Sequence, residues 1–127
     1  MRTVLVCDDE LYITRAVAMK LRKAGYDVLT AADGQAGLEL ALASPPDVVI
    51  TDYQMPRMDG LELCVALKKH EQTRDIPVVL LTAKGYEVDE QDLKERFAIQ
   101  AMIVKPFSPR ELLKTVHRLI GETVVAD

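Results

Sequence analysis

Cysteine, histidine and tryptophan are scarce in this sequence: 127 residues hold two Cys, two His and no Trp. Cys7 and Cys64 have no Cys or His neighbour at metal-ligand spacing, which argues against a thiolate metal site. They read as two buried, reduced thiols of a cytoplasmic protein. His70 and His117 sit among charged neighbours in helical segments and read as solvated surface residues. Positive charge is short as well. Sixteen Lys and Arg stand against twenty Asp and Glu, a net charge of −4, with no basic stripe of the kind nucleic acid requires. No apolar run approaches the length of a membrane span. The opening "MRTVLVCDDE" enters a strand-like run directly, without the separate apolar region and cleavage site of a signal peptide. No repeat, low-complexity tract or interdomain linker interrupts the chain. These absences predict one cytoplasmic domain over residues 1–121 with a short tail over 122–127, and no nucleic-acid or membrane contact.

Hydrophobic residues make up 49% of the chain, enough for a proper core at this length. They fall in two patterns. Short runs rich in Val, Ile and Leu occupy 3–7, 27–31, 47–51, 76–82 and 101–104, and read as strands buried on both faces. Between them lie helical segments. Ile13, Val17, Leu21 and Ala24 share a face, and Gly25 supplies a left-handed stop. An Asp-Gly start opens the second helical segment, and Pro45-Pro46 ends it. Leu63, Ala66 and Leu67 mark the third. The fourth is dense in charge, a solvated face anchored by Val88, Leu93 and Phe97. Ser108 and Glu111 predict a capping box for the fifth, with Pro109 at its first position and Gly121 closing it. Five βα units with short connections predict a parallel sheet with helices on both faces.

Ligands of open parallel α/β sheets bind beyond the carboxyl ends of the strands. The first strand ends in Asp8-Asp9-Glu10, the third in Asp52, the fourth in Thr82 and the fifth in Lys105. Any one of these has an ordinary reading: Asp8, Asp9 or Thr82 could cap a helix, and Lys105 could be a surface residue. Their convergence on one edge is what points to a site. Clustered carboxylates repel, so one must be protonated or a cation must sit among them. Oxygen ligands without His or Cys suit Mg²⁺ or another hard cation. A carboxylate beside such a cation can attack phosphorus and form an aspartyl-phosphate. A lysine and a hydroxyl would then take up charge on the phosphoryl oxygens.

The motifs "VLVCDDE", "VVITDYQMPRMDG", "PVVLLTAKG" and "VKPFSPREL" together resemble the receiver domain of bacterial two-component response regulators, over residues 4 to 113. The resemblance implies a flavodoxin-like α/β fold: a doubly wound, five-stranded parallel sheet of order 2-1-3-4-5 with five helices. It implies Asp52 as phosphoacceptor. It implies Mg²⁺ held by Asp9 and Asp52, by Asp8 directly or through water, and by the backbone carbonyl of Gln54. Lys105 would pair with a phosphoryl oxygen, Thr82 would bond another and move toward it, and the Lys105–Pro106 bond would be cis. The donor would be a phosphohistidine on a sensor histidine kinase or a histidine phosphotransfer protein. The output would be docking to a further, unidentified protein by a monomer or weak dimer. Such a domain is not an enzyme beyond its own phosphorylation and dephosphorylation.

The sequence departs from the family at several positions. The switch position three residues before the lysine, usually Tyr or Phe, is Met102, which reads as an apolar filler of the same gap. "AIQA" at 98–101 lacks the acids that help many relatives to dimerise. Gln54 and Lys84 occupy the positions that tune dephosphorylation in the family. Three other classes compete. A haloacid-dehalogenase-like phosphatase would need an Asp where Gln54 stands. A flavodoxin would want Gly, Ser and Thr in the acidic first βα loop. An interaction module that has lost phosphorylation would have no need of Asp8, Asp9, Asp52, Thr82 and Lys105.

Overall fold

The computed structural model describes residues 2–83 and 89–124. Strands and helices alternate: β1 (Thr3–Cys7), α1 (Leu11–Lys23), β2 (Asp27–Ala31), α2 (Gly34–Ala43), β3 (Val48–Asp52), α3 (Gly60–Lys68), β4 (Val78–Ala83), α4 (Glu90–Phe97), β5 (Ala101–Lys105) and α5 (Pro109–Val124). All strand pairs are parallel and the sheet order is β2-β1-β3-β4-β5, the flavodoxin-like order expected. β3 runs one residue further than expected and takes in Asp52. β4 opens only after Pro77, which has no N–H to give to a ladder.

The period of two along each strand sorts side chains to two cores. Val4 and Val6, Val48 and Ile50, Val79 and Leu81, and Ala101 and Ile103 face α1 and α5, where Val17, Leu21, Leu112, Val116 and Ile120 meet them. Leu5 and Cys7, Val49, and Val78 and Leu80 face the other way, against Ala41, Leu63, Cys64, Leu67 and Leu93 of α2, α3 and α4. Each large aliphatic side chain buried here contributes about 1.5–3 kcal/mol. Burial pushes the Cys7 and Cys64 thiols up to about 12, so both are neutral packing groups, as expected.

Burial on both faces holds for β1, β3 and β4 but not for the edges. Asp27 and Thr30 of β2 are exposed, and Val104 of β5 is 51% exposed. A run of apolar letters does not distinguish a central strand from an edge strand, because an edge loses its cover on the outer side.

Helix ends follow local chemistry. Gly25, at φ 98°, ends α1 as expected. Asp33 caps α2 by accepting from the Ala36 N–H at 2.8 Å. Asp59 and Glu62 form a full capping box at α3, which had not been expected from the sequence. Ser108 Oγ accepts from the Glu111 N–H at 3.1 Å, one half of the expected box. Gly121 does not close α5, which runs on to Val124, so the boundary expected at 121 falls inside the helix. Its backbone is not left-handed, and Leu119 and Ile120 anchor the turn before it. A helical glycine costs only about 1 kcal/mol relative to Ala, too little to stop an anchored helix. On α4, Glu90–Lys94 and Asp92–Arg96 pair at 2.9 and 3.1 Å, and Leu93 is buried, as a solvated face requires. Val88 lies outside the described residues. His117 is more than a solvated residue: its Nδ1 shares a hydrogen bond with the Tyr26 hydroxyl, which ties α5 to the start of β2.

Candidate functional site

The sheet register explains why three distant residues meet. Cys7 is level with Thr51, so Asp8 continues the Val4–Val6 face beside Asp52, which continues the Val48–Ile50 face. Lys105 follows Ala101 and Ile103 on the same face of β5. Its long side chain crosses the end of β4 to reach them. Nζ lies 3.0 Å from Asp8 Oδ2 and 3.3 Å from Asp52 Oδ1. Asp8 is fully buried and Asp52 is 8% exposed.

Glu10, named among the strand-end acids but given no role there, is a member of the site. Its Oε1 accepts from Lys105 Nζ at 2.8 Å, the shortest of the three contacts. Oxygens of Asp8, Glu10 and Asp52 all lie within 4.8 Å of one another. Asp9, expected as the main acidic ligand, is exposed and stands outside this group. The chain bends at Asp9, and the Glu10 N–H donates back to Asp8 Oδ1 at 2.9 Å, a turn that leaves Asp9 exposed and brings Glu10 to Lys105.

The charges are not balanced. Burial, with the neighbouring charge of Asp8, lifts Asp52 from its ordinary 3.8 to about 6, against the opposing pull of Lys105. Burial also raises Asp8, against the hydrogen bond of the Glu10 N–H and the pull of the nearby Lys105. Burial pulls Lys105 down, but its hydrogen bond to Glu10 and the nearby carboxylates of Asp8 and Asp52 more than offset this, and the amine is held protonated. Among the described residues, Asp8 Oδ2 is buried without a hydrogen-bond partner. Its 3.0 Å approach to Lys105 is an ion pair without hydrogen-bond geometry. One ammonium thus serves three carboxylates. A pocket of buried oxygens with an acceptor to spare fits a hard cation.

The other expected residues lie around this centre. Thr82 is buried at the same sheet edge, on the opposite face parity, and its hydroxyl donates to the Ala83 carbonyl at 3.1 Å. Gln54 is exposed in the loop directly after β3. Met102 is half-buried and packs against the core of α2, α3 and α4, as a gap filler would. In "AIQA", Gln100 joins two strands. Its side-chain oxygen accepts from the Val78 N–H at 2.7 Å, stitching the β5 approach to β4. The Lys105–Pro106 peptide is cis. Lys84 lies outside the described residues.

The loop after Asp52 is clasped from two sides. Gly60 N–H donates to the Tyr53 carbonyl at 2.8 Å, and a Cβ on Gly60 would lie 2.3 Å from the Asp52 carbonyl oxygen. Across the loop, Gly34 N–H donates to the Met58 carbonyl at 3.0 Å, and Arg57, at φ 67°, pairs with Asp33.

The response regulator receiver domain family matches residues 4–117. The chain belongs to this family. As a receiver domain it is a signalling domain rather than an ordinary enzyme, and receiver domains bind Mg²⁺ at an acidic pocket and interact with histidine kinases. It is 36% identical over 126 residues to the phosphate regulon transcriptional regulatory protein PhoB of Pseudomonas aeruginosa, covering 99% of this chain and 55% of that one. It is 38% identical over 125 residues to the DNA-binding dual master transcriptional regulator RpaA of Synechocystis, covering 97% and 51%. The receiver thus spans about half the length of these relatives. Because one of them binds DNA, the acidic composition gives no ground for excluding nucleic acid from the biology of the protein. Among solved structures, the chemotaxis protein CheY4 of Vibrio cholerae superposes with a TM-score of 0.86 at 35% identity, covering 94% of this chain and 98% of that one. The receiver domain of a Pseudomonas aeruginosa sensor histidine kinase superposes at 0.84 with 25% identity and the same coverage, and carries a magnesium ion in its active-site cleft. No described helix is long and apolar enough to cross a membrane.

Proposed function

We propose that this receiver accepts a phosphoryl group on Asp52 from a phosphohistidine of a sensor histidine kinase or histidine phosphotransfer protein. The observation that carries the reading is the pocket itself: Asp8 and Asp52 buried side by side, with a spare carboxylate oxygen and a protonated lysine across the gap. Asp8, Asp9 and Asp52 would hold Mg²⁺ with the Gln54 carbonyl, Asp9 being the exposed neighbour of the pocket. The bound cation would neutralise charge between the acids and the incoming phosphoryl oxygens.

Asp52 attacks phosphorus as its carboxylate, so the pocket must hold it ionised at neutral pH. Lys105 contributes to that now and pairs with a phosphoryl oxygen after transfer. Thr82 is the hydroxyl that turns from the Ala83 carbonyl toward a second phosphoryl oxygen. Met102 fills the volume that this movement rearranges, without a hydroxyl of its own to signal with. Phosphorylation shifts an existing equilibrium between two packings, and the favoured one docks a downstream protein in the cytoplasm. The free domain is a monomer or weak dimer.

Intact-mass spectrometry after incubation with acetyl phosphate tests the reading. One phosphoryl group should be gained with Mg²⁺, little without it, and none in Asp52→Asn. Equal labelling of Asp52→Asn would refute the acceptor assignment. No labelling from acetyl phosphate or from any phosphohistidine donor would favour an interaction module that does not use phosphorylation.

A further inference from the structure

The closest acid to Lys105 is neither the acceptor nor its buried neighbour but Glu10, at 2.8 Å. The same carboxylate is held at its other oxygen, where Oε2 accepts from the Tyr12 hydroxyl at 2.6 Å. Glu10 is half-buried and Tyr12 is 70% exposed. The pair stands on the wall of a groove of about 500 Å³ that runs between α1 and the β5–α5 corner, past Ile13, Pro106 and Phe107. Asp8, by contrast, is fully buried and fixed by the Glu10 N–H at 2.9 Å. Of the three acids around the amine, the one with the shortest contact is therefore also the one free to swing into water.

We propose that Glu10 is a positioning residue: with Tyr12 it holds Lys105 at the rim of the acid pocket, and a phosphoryl group arriving on Asp52 must draw Lys105 away from it. This rests on the reading of Asp52 as phosphoacceptor. Transfer forms a bond from an Asp52 carboxylate oxygen to phosphorus while the donor's bond to phosphorus breaks and the donor keeps the electron pair. Glu10, Tyr12 and Lys105 exchange no covalent bond. The phosphoryl oxygens bring about two negative charges to a point where the carboxylate had one, which is enough to outcompete a carboxylate with access to solvent. Glu10 thereby sets a threshold: until the phosphoryl group is present it holds Lys105 more closely, at 2.8 Å, than Asp52 does, at 3.3 Å.

Glu10→Gln keeps the shape and removes the charge, and Tyr12→Phe removes the outer hydrogen bond alone. Two readouts separate positioning from general charge. The first is binding of beryllofluoride with Mg²⁺, a phosphoryl mimic. Glu10→Gln should tighten it about threefold, the scale of one partly exposed ion pair, with Tyr12→Phe between it and the wild type. In a Lys105→Ala background, Glu10→Gln should change nothing. The second needs no metal: acylation of Lys105 by a water-soluble reagent, read by peptide mass, should quicken about threefold in Glu10→Gln. Unchanged acylation, or an undiminished effect in the Lys105→Ala background, overturns the proposal and leaves Asp52 as acceptor. A wild type that neither binds beryllofluoride nor takes up phosphoryl groups overturns the acceptor reading, and the proposal with it.

Discussion

Asp52 and Asp33 are the same residue type, at the same edge of the sheet, and almost equally hidden, at 8% and 6% exposure. Their surroundings push them in opposite directions. Burial and the charge of Asp8 raise Asp52 to about 6. The Arg57 guanidinium and the Ala36 N–H hold Asp33 below the usual carboxylate range. Asp33 has found partners for its oxygens and serves the structure: it caps α2 and clasps the loop that follows Asp52. Asp52 shares one lysine with two other acids. Burial alone is no guide to what a carboxylate is for; the balance of its partners is.

Three substitutions would sharpen or break this contrast. Gly34→Ala should have the largest effect on stability. Its Cβ would lie 2.2 Å from the Met58 carbonyl oxygen, so the clasp beside Asp33 must open, at a cost of about 3 kcal/mol in urea unfolding. Loss of under about 0.5 kcal/mol would show that the loop gives way easily.

Asp52→Asn should raise metal-free stability at pH 7 by about 2 kcal/mol, because an ionised acid held above its ordinary value destabilises the fold. The sign follows from linkage. The folded-state value, about 6, exceeds the ordinary 3.8, so stability is fully present below about pH 3.8 and is lost as pH rises through 6. The gap between variant and wild type should therefore open across that window and level off above it. A variant less stable than the wild type at pH 7 would mean that Lys105 outweighs the repulsion.

Asp33→Asn should show the smallest change and the reverse sign. Its depressed value means that its contribution is present above pH 3.8 and fades on further acidification. The asparagine can still cap α2 but gives up the charge partner of Arg57. Stabilisation by Asp33→Asn, as for Asp52→Asn, would erase the contrast.

Much of this architecture was legible in the letters. Apolar runs and periodic segments marked all five βα units, and β1 and β2 have the limits expected of them. Asp8, Asp52 and Lys105 were foreseeable because a parallel sheet delivers strand ends to one edge. The errors share a cause: they turn on what lies beside a residue in space. Val104 is as apolar as Val79, but β5 is an edge. Gly121 looked like a stop until buried neighbours held its turn. Glu10 meets Lys105 across 95 residues of sequence, a contact that no local pattern marks. The Asp33–Arg57 pair joins residues 24 apart in sequence and left no local mark.

A pocket short of positive charge is the central claim, and thermal unfolding against Mg²⁺ concentration at pH 7 tests it most directly. The wild type should gain stability with a saturating dependence on Mg²⁺ in the millimolar range, and Asp52→Asn should lose most of that gain. A wild type indifferent to Mg²⁺, or an Asp52→Asn variant stabilised just as much, would contradict it.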